Sequence, residues 1–223
     1  AEGNAKYSAE GNCIMEKSSK SVVLGTVSSV IPDDAVTIAS SAFRGRAGLT
    51  SLTIPGRITG IVSNAFSGCT GLSELTLPSN VKTVGSNAFS SCSGIATLNY
   101  NIEKSAGVSE KAFNECIGVS TINIGAAVTT LDARAFSQLT GLDKITVAED
   151  NAVFRTEGGC VINKSTSVLA LGYKGSIIPS GVVTVGAYAF AGCVGLDGIT
   201  IPEGVTKVET YAFNNCINMT YIV

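Results

Sequence analysis

The chain has 223 residues, of which 45% are hydrophobic and 14% are charged, with a net charge of −2 and no histidine. It has no basic cluster to attract phosphates and no apolar run approaching the ~18–20 residues that span a membrane, so we expect neither nucleic-acid binding nor a transmembrane segment. Without histidine the commonest general base and metal ligand is missing, and no short-spaced cysteine pair replaces it. We therefore expect no enzymatic activity, no cofactor and no metal site.

The first segment, at about residues 4–30, recurs 147 positions later at about residues 151–177. Residues 11–18 (GNCIMEKS) align with residues 158–165 (GGCVINKS). In the second copy two β-rich runs surround a polar Lys-Ser-Thr-Ser turn, a pattern typical of a β-hairpin. We predict a β-hairpin insertion at each place.

Outside these segments, an Ala-Phe dipeptide recurs at intervals of 23 or 24 residues, with one longer interval of 54 that contains the second insertion. The repeats are centred on Phe43, Phe66, Phe89, Phe113, Phe136, Phe190 and Phe213. A fixed period in the twenties is the signature of a solenoid, in which each coil buries its apolar face against its neighbours. We expect the seven phenylalanines to form a continuous buried ladder.

Each repeat continues with a short predicted strand. Apolar residues stand six, nine and eleven positions after the phenylalanine, as in Leu72, Leu75 and Leu77. The last two share one face of a strand, and stacked repeats would lay such strands side by side in a parallel sheet. A proline such as Pro78 ends the strand, because proline cannot donate to the sheet. The return to Ala-Phe is predicted to contain one helical or 3₁₀ turn.

Two small-residue positions complete the repeat. The position three after the phenylalanine is Cys69, Cys92, Cys116, Cys193 or Cys216 in five repeats. Because Leu139 also occupies this position, we expect the cysteines to be reduced thiols in the core rather than disulfides. The position five after the phenylalanine is a glycine in six repeats, and we predict a left-handed turn there.

Residues 72–92 (LSELTLPSNVKTVGSNAFSSC) resemble the repeat of the BspA-like leucine-rich repeat proteins, a family of bacterial and protozoan surface proteins. The segments around Cys13 and Cys160 resemble the hairpin that interrupts the repeats of that family. The resemblance covers essentially the whole chain. It implies one leucine-rich repeat solenoid over residues 1–223, with a parallel sheet of short strands, short helical or 3₁₀ turns on the other face, and two β-hairpin insertions. It also implies an extracellular or cell-surface location and, often, adhesion to host or matrix proteins.

The outward face of the predicted sheet is the candidate interaction surface. Its residues are Ser51, Thr53, Glu74, Thr76, Thr97, Asn99, Thr121, Asn123, Lys144, Thr146 and Thr200. They are mostly small and uncharged, whereas binding hot spots favour Trp, Tyr and Arg. Two functions therefore stay open: a protein-interaction module that gains affinity from many repeats, and a structural spacer that displays another domain and has no ligand of its own. Because neither end resembles a capping repeat, we also expect a longer solenoid and end-to-end self-association.

Overall fold

The computed structural model describes residues 3–223 and shows a β-solenoid of about eight turns with almost no helix. The predicted solenoid is confirmed. The strands are β1 (Tyr7–Glu10), β2 (Cys13–Glu16), β3 (Ser21–Leu24), β4 (Thr37–Ile38), β5 (Gly60–Ile61), β6 (Glu74–Leu77), β7 (Thr83–Val84), β8 (Thr97–Tyr100), β9 (Thr121–Ile124), β10 (Lys144–Val147), β11 (Phe154–Glu157), β12 (Cys160–Asn163), β13 (Val168–Leu171), β14 (Thr184–Val185), β15 (Gly198–Ile199), β16 (Lys207–Val208) and β17 (Tyr221–Ile222). The 3₁₀ helices are η1 (Ser105–Gly107) and η2 (Ala133–Phe136).

The coils stack their strands in two sets of parallel ladders. The front sheet consists of β6, β8, β9 and β10, paired in parallel so that Leu75, Leu98, Ile122 and Ile145 lie side by side. The back ladder consists of the two-residue strands β4, β5 and β7 and, after the second insertion, β14 and β16. Alternation in the front strands turns the apolar residues to the core and the polar ones outward.

Each insertion is a three-stranded antiparallel meander rather than a two-stranded hairpin. In the second, β11 pairs with β12, β12 pairs with β13, and β13 joins the back ladder in parallel with β14. The first repeats this order with β1 to β4. The additional strand arrives through a two-residue turn, Gly11-Asn12 or Gly158-Gly159, in which both residues have positive φ. This is the type I′ geometry, whose twist suits paired antiparallel strands.

The turn around Ala-Phe differs from the predicted helical or 3₁₀ turn in most coils. Around Phe66, for example, Asn64 and Gly68 have φ angles of 60° and 75°. A left-handed residue interrupts a helical run, so the chain forms consecutive tight turns instead. These turns bond to the next coil, as in the Phe66 N–H that donates to the Ala88 carbonyl at 2.7 Å. Phe136, in η2, does lie in a 3₁₀ helix.

The glycines five positions after the phenylalanine are not left-handed, so that prediction is wrong. A Cβ atom on Gly71 would lie 2.3 Å from the Ala47 carbonyl oxygen, and one on Gly94 would lie 2.2 Å from that of Thr70. These positions therefore require glycine because the backbone of the preceding coil approaches too closely for a side chain.

The second insertion divides the core into two clusters. Val161 and Leu171 pack into the first cluster, whereas Cys160, Ile162 and Leu169 pack into the second. The phenylalanines stack from Phe43 to Phe136 with ring centroids 4.9 to 6.2 Å apart, and Phe190 stacks on Phe213 at 5.1 Å. No ring contact joins Phe136 to Phe190 in residues 3–223, so the predicted ladder is not continuous. Phe213 is only partly buried.

Candidate interaction surfaces

The outward face of the front sheet carries two rows of polar residues. Parallel pairing aligns Glu74, Thr97, Thr121 and Lys144 in one row. The same pairing aligns Thr76, Asn99, Asn123 and Thr146 in the other. The residues of β6 are exposed, and those of β8 and β9 are partly buried by their neighbours. Eight of the predicted face residues therefore form one continuous surface over four coils.

The second row is joined by side-chain hydrogen bonds into a polar ladder. The Asn99 amide donates to the Thr76 hydroxyl at 3.0 Å and also to the Glu74 carboxylate. The Asn123 amide donates to the Asn99 Oδ1 at 2.8 Å, and the Thr146 hydroxyl donates to the Asn123 Oδ1 at 2.7 Å. Each side chain is therefore held in one orientation before any partner arrives, which lowers the entropy lost on binding.

The other predicted face residues lie apart from this ladder. Ser51 and Thr53 lie outside any strand but border a shallow groove of about 260 Å³ with Glu74 and Thr76. Thr200 follows β15, which belongs to a separate two-stranded sheet with β17 beyond the second insertion. The insertion thus separates Thr200 from the other face residues.

The repeat cysteines face the core. The thiols of four of them donate to the phenylalanine carbonyl of the preceding coil at 2.9 to 3.1 Å: Cys69, Cys92, Cys116 and Cys216. Cys193 is partly buried, and its nearest acceptor is the Gly172 carbonyl at 3.9 Å. Burial raises the pKa of Cys69 to about 11 and that of Cys116 to about 12. All seven cysteines are free, and their protonated thiols serve as small hydrogen-bonding core groups.

A second surface, on the back of the solenoid, was missed by sequence reasoning. Tyr188 and Tyr211 lie in consecutive coils with ring centroids 5.1 Å apart, and Tyr211 is 58% exposed. The sequence does contain a signal for this surface, in the residue type at the position two before each repeat phenylalanine. That position reads Ser41, Asn64, Asn87, Lys111, Arg134, Tyr188 and Tyr211. The change from small polar residues to long and aromatic ones marks the second half of the back surface as different.

A match to a family model identifies the family of the chain. The model of the BspA type leucine rich repeat region matches residues 28–157 and 172–223, in six copies. The chain belongs to this family. The unmatched residues, 1–27 and 158–171, lie within the two insertions, so this BspA-type chain departs from the repeat pattern of the family at both insertions. Leucine-rich repeat regions are generally protein-interaction modules without enzymatic activity.

Solved structures show the same fold. The pneumococcal vaccine antigen PcpA matches with a TM-score of 0.58 and 20% identity, over 97% of this chain and 67% of that chain. A leucine-rich repeat protein from Eubacterium ventriosum matches with a TM-score of 0.52 and 18% identity, over 97% of this chain and 71% of that chain. At these identities the likeness establishes the fold alone. A search of curated proteins found no match.

Two further properties of this BspA-type solenoid concern membranes and metals. Across residues 3–223, none of the helices has the length and apolar character needed to cross a membrane. The same residues contain no group of three or more cysteine, aspartate or glutamate side chains placed to hold a metal ion.

Proposed function

We propose that the chain is a non-enzymatic protein-interaction module of a secreted or cell-surface protein, and that it adheres to host or matrix proteins through the front sheet. The polar ladder from Thr76 to Thr146 carries this proposal. It offers a pre-ordered surface four coils long, formed by strands of four residues each.

The chemistry of this face favours a broad contact over a deep pocket. Its charged residues, Glu74 and Lys144, lie in the first and last strands of the sheet, so opposite charges stand at the two ends. A protein surface with a complementary pair of charges would be oriented along the sheet. The half-buried threonines Thr97 and Thr121 lie between these ends and would contact the centre of the partner.

The alternative function is a structural spacer that displays another domain. It is favoured by the same hydrogen bonds, because the Asn99 and Asn123 amides donate to neighbouring side chains rather than facing a partner unpaired. Family membership supports a binding role, and the similarity of the fold to the pneumococcal vaccine antigen PcpA accords with surface exposure.

A steric block of the front sheet separates these two functions. The variant Thr97→Arg with Thr121→Arg covers the centre of the face without removing a ladder residue. The matched control is Thr83→Arg, which places the same side chain on an exposed position of the back ladder. Immobilised fibronectin, laminin, fibrinogen and collagen serve as probes in surface plasmon resonance.

We expect at least one of these proteins to bind the parent chain, and the double variant to weaken that binding about tenfold or more. Thr83→Arg should leave it unchanged. Equal binding by all three proteins would reject the front sheet as the site. Absence of binding by the parent chain to every probe would favour the spacer.

A further inference from the structure

A wide groove lies on the back of the solenoid, between the coil of Phe136 and the second insertion. Its volume is about 800 Å³. One wall is the segment from Thr130 to Arg134, and the other consists of β13 and the segment from Gly186 to Tyr188. We call it the back groove. None of its lining residues belongs to the front sheet.

The groove exists because the second insertion interrupts the back ladder. The edge of β13 that would meet the Phe136 coil is already paired with β12, so the coil cannot extend that ladder. At another corner of the same junction the coils remain in contact, since a Cβ on Gly192 would lie 1.8 Å from the Ser137 carbonyl oxygen. The two halves of the solenoid therefore remain in contact through the insertion and at this corner, but their back ladders are not paired with each other.

This separation leaves main-chain groups unpaired. In regular coils the residue after the back strand donates to the preceding coil, as Gly85 does to Ile61 at 2.8 Å and Ser109 does to Val84 at 2.9 Å. The series then stops. Among the described residues, neither the Val108 carbonyl nor the N–H and carbonyl of Leu131 has a hydrogen-bond partner. Such an open ladder edge is a template for an added strand.

The walls of the groove could contact the side chains of a bound strand as well as its backbone. Leu131, Val168 and Ala170 present half-buried apolar surface, and small residues line the space between them. At the rim, Asp132 holds the guanidinium of Arg134, whose Nε donates to the carboxylate at 3.0 Å. Tyrosine and arginine at the rim of an apolar depression are the composition of binding hot spots.

Tyr188, which lines the groove, and its neighbour Tyr211 also carry backbone strain. Tyr188 and Tyr211 have φ angles of 59° and 61°, in the left-handed region that bulky residues rarely adopt. The corresponding residues Asn64 and Asn87 tolerate this conformation better. The left-handed backbone recurs at this position of the repeat, but it carries aromatic side chains in the two coils beyond the second insertion, where Tyr188 lines the groove. Backbone strain of this kind clusters at functional sites.

We propose that the back groove binds an extended peptide segment of a partner protein by strand addition. The peptide main chain pairs with Val108 and Leu131, its apolar side chains contact Val168 and Ala170, and Tyr188 borders it. A peptide fits better than a sugar because the open groups are main-chain donors and acceptors at a ladder edge, which is what a strand supplies. This site is independent of the front sheet, so either proposal can fail without the other.

Selection from a displayed library of random dodecapeptides against the whole chain tests the proposal. The binding of selected peptides is then measured on Tyr188→Asn, which restores the residue found in two other coils and should fold normally. The front-face variant Thr97→Arg with Thr121→Arg is the control. Hydrogen exchange of the Leu131 amide provides a readout that does not depend on a substitution.

We expect Tyr188→Asn to weaken peptide binding by about tenfold or more, and the control variant to bind as the parent does. Bound peptide should slow exchange of the Leu131 amide by about tenfold or more, because the amide gains a partner. Failure to enrich any peptide, binding unaffected by Tyr188→Asn, or unchanged exchange at Leu131 would each overturn the proposal. Displacement of the peptide by neutral oligosaccharides would also overturn the proposal and would identify the groove as a sugar-binding site.

Discussion

The two insertions have closely related sequences and the same strand order, yet they differ in how deeply they are buried. The first insertion buries one side, with Cys13, Met15 and Val22 in the core. Its other side is open: Ile14 is 38% exposed and Leu24 is 41% exposed. In residues 3–223, no coil covers this side.

The second insertion is buried on both sides. Val161, which corresponds to Ile14, is 0% exposed, and Leu171, which corresponds to Leu24, is 4% exposed. Its two sides contact the two separate core clusters. Local sequence therefore determines the meander, whereas a neighbouring coil determines whether the second apolar face of the meander is part of a core.

The sharpest test of this comparison truncates the same residue in both insertions. Leu171→Ala should lower the free energy of unfolding by about 3 kcal/mol, because it opens a cavity in the first core cluster. Leu24→Ala should cost less than about 1 kcal/mol, because its side chain already contacts water. Urea denaturation followed by circular dichroism measures both. Equal losses would show that the environments of the two insertions do not differ as described.

The type I′ turns should respond alike in the two insertions. Gly158→Ala and Gly11→Ala should each lower the free energy of unfolding by about 2 kcal/mol. Both glycines have positive φ, and an added Cβ would clash with a carbonyl oxygen. A Cβ would lie 2.2 Å from the Ile177 carbonyl oxygen in one turn and 2.1 Å from that of Val30 in the other. Gly56→Ala is the control, since no atom lies within 4 Å of its Cβ position. Thermal unfolding measures the loss of stability in each variant. A loss in only one of the two turn variants would contradict the claim that the two turns have the same local structure.

Alkaline pH should distinguish the buried thiols of the two insertions. Burial raises the pKa of Cys160 to about 11 and also raises that of Cys13. Above pH ~9 the unfolded chain releases thiol protons that the folded chain retains, so stability is present below that pH and falls as pH rises towards 11. Each such thiol contributes at most about 1.4 kcal/mol per pH unit to the decline.

Cys160→Ala should therefore flatten the decline more than Cys13→Ala does, because the second insertion is desolvated from both sides. Urea denaturation from pH 8 to 11 under reducing conditions measures the slope. A steeper decline in Cys160→Ala than in the parent chain would reverse the assigned sign.

The smallest expected effect is weak end-to-end self-association through the open side of the first insertion. Ile217 and Ile222 at the other end of the solenoid are 75% and 58% exposed and offer an apolar surface to Ile14 and Leu24 of a second copy. Sedimentation velocity at rising concentration should show association in the parent chain and less of it in Leu24→Lys. A parent chain that stays monomeric throughout would refute the prediction.

The repeat and its core could be predicted from the spacing of residues along the chain. The period of 23 residues and the apolar spacing around residues such as Phe89 and Leu75 predict stacked coils, because each coil can bury these side chains only against the next. The parallel sheet and the polar rows on its outer face follow from the same spacing. The turn at Gly158 and Gly159 was not predicted, because the short charged strand before it, Phe154–Glu157, has little β signal.

Features that depend on contacts between coils could not be predicted from the spacing within one repeat. Gly71 is required by the carbonyl of the preceding coil rather than by its own φ angle, and spacing within one repeat does not contain that distance. The polar ladder depends on whether Asn99 and Asn123 reach each other across strands. The back groove depends on β12 occupying the edge of β13, which leaves Leu131 unpaired. Hydrogen bonding and close packing between coils are non-local, so a one-dimensional pattern predicts that coils stack but not where their stacking is interrupted.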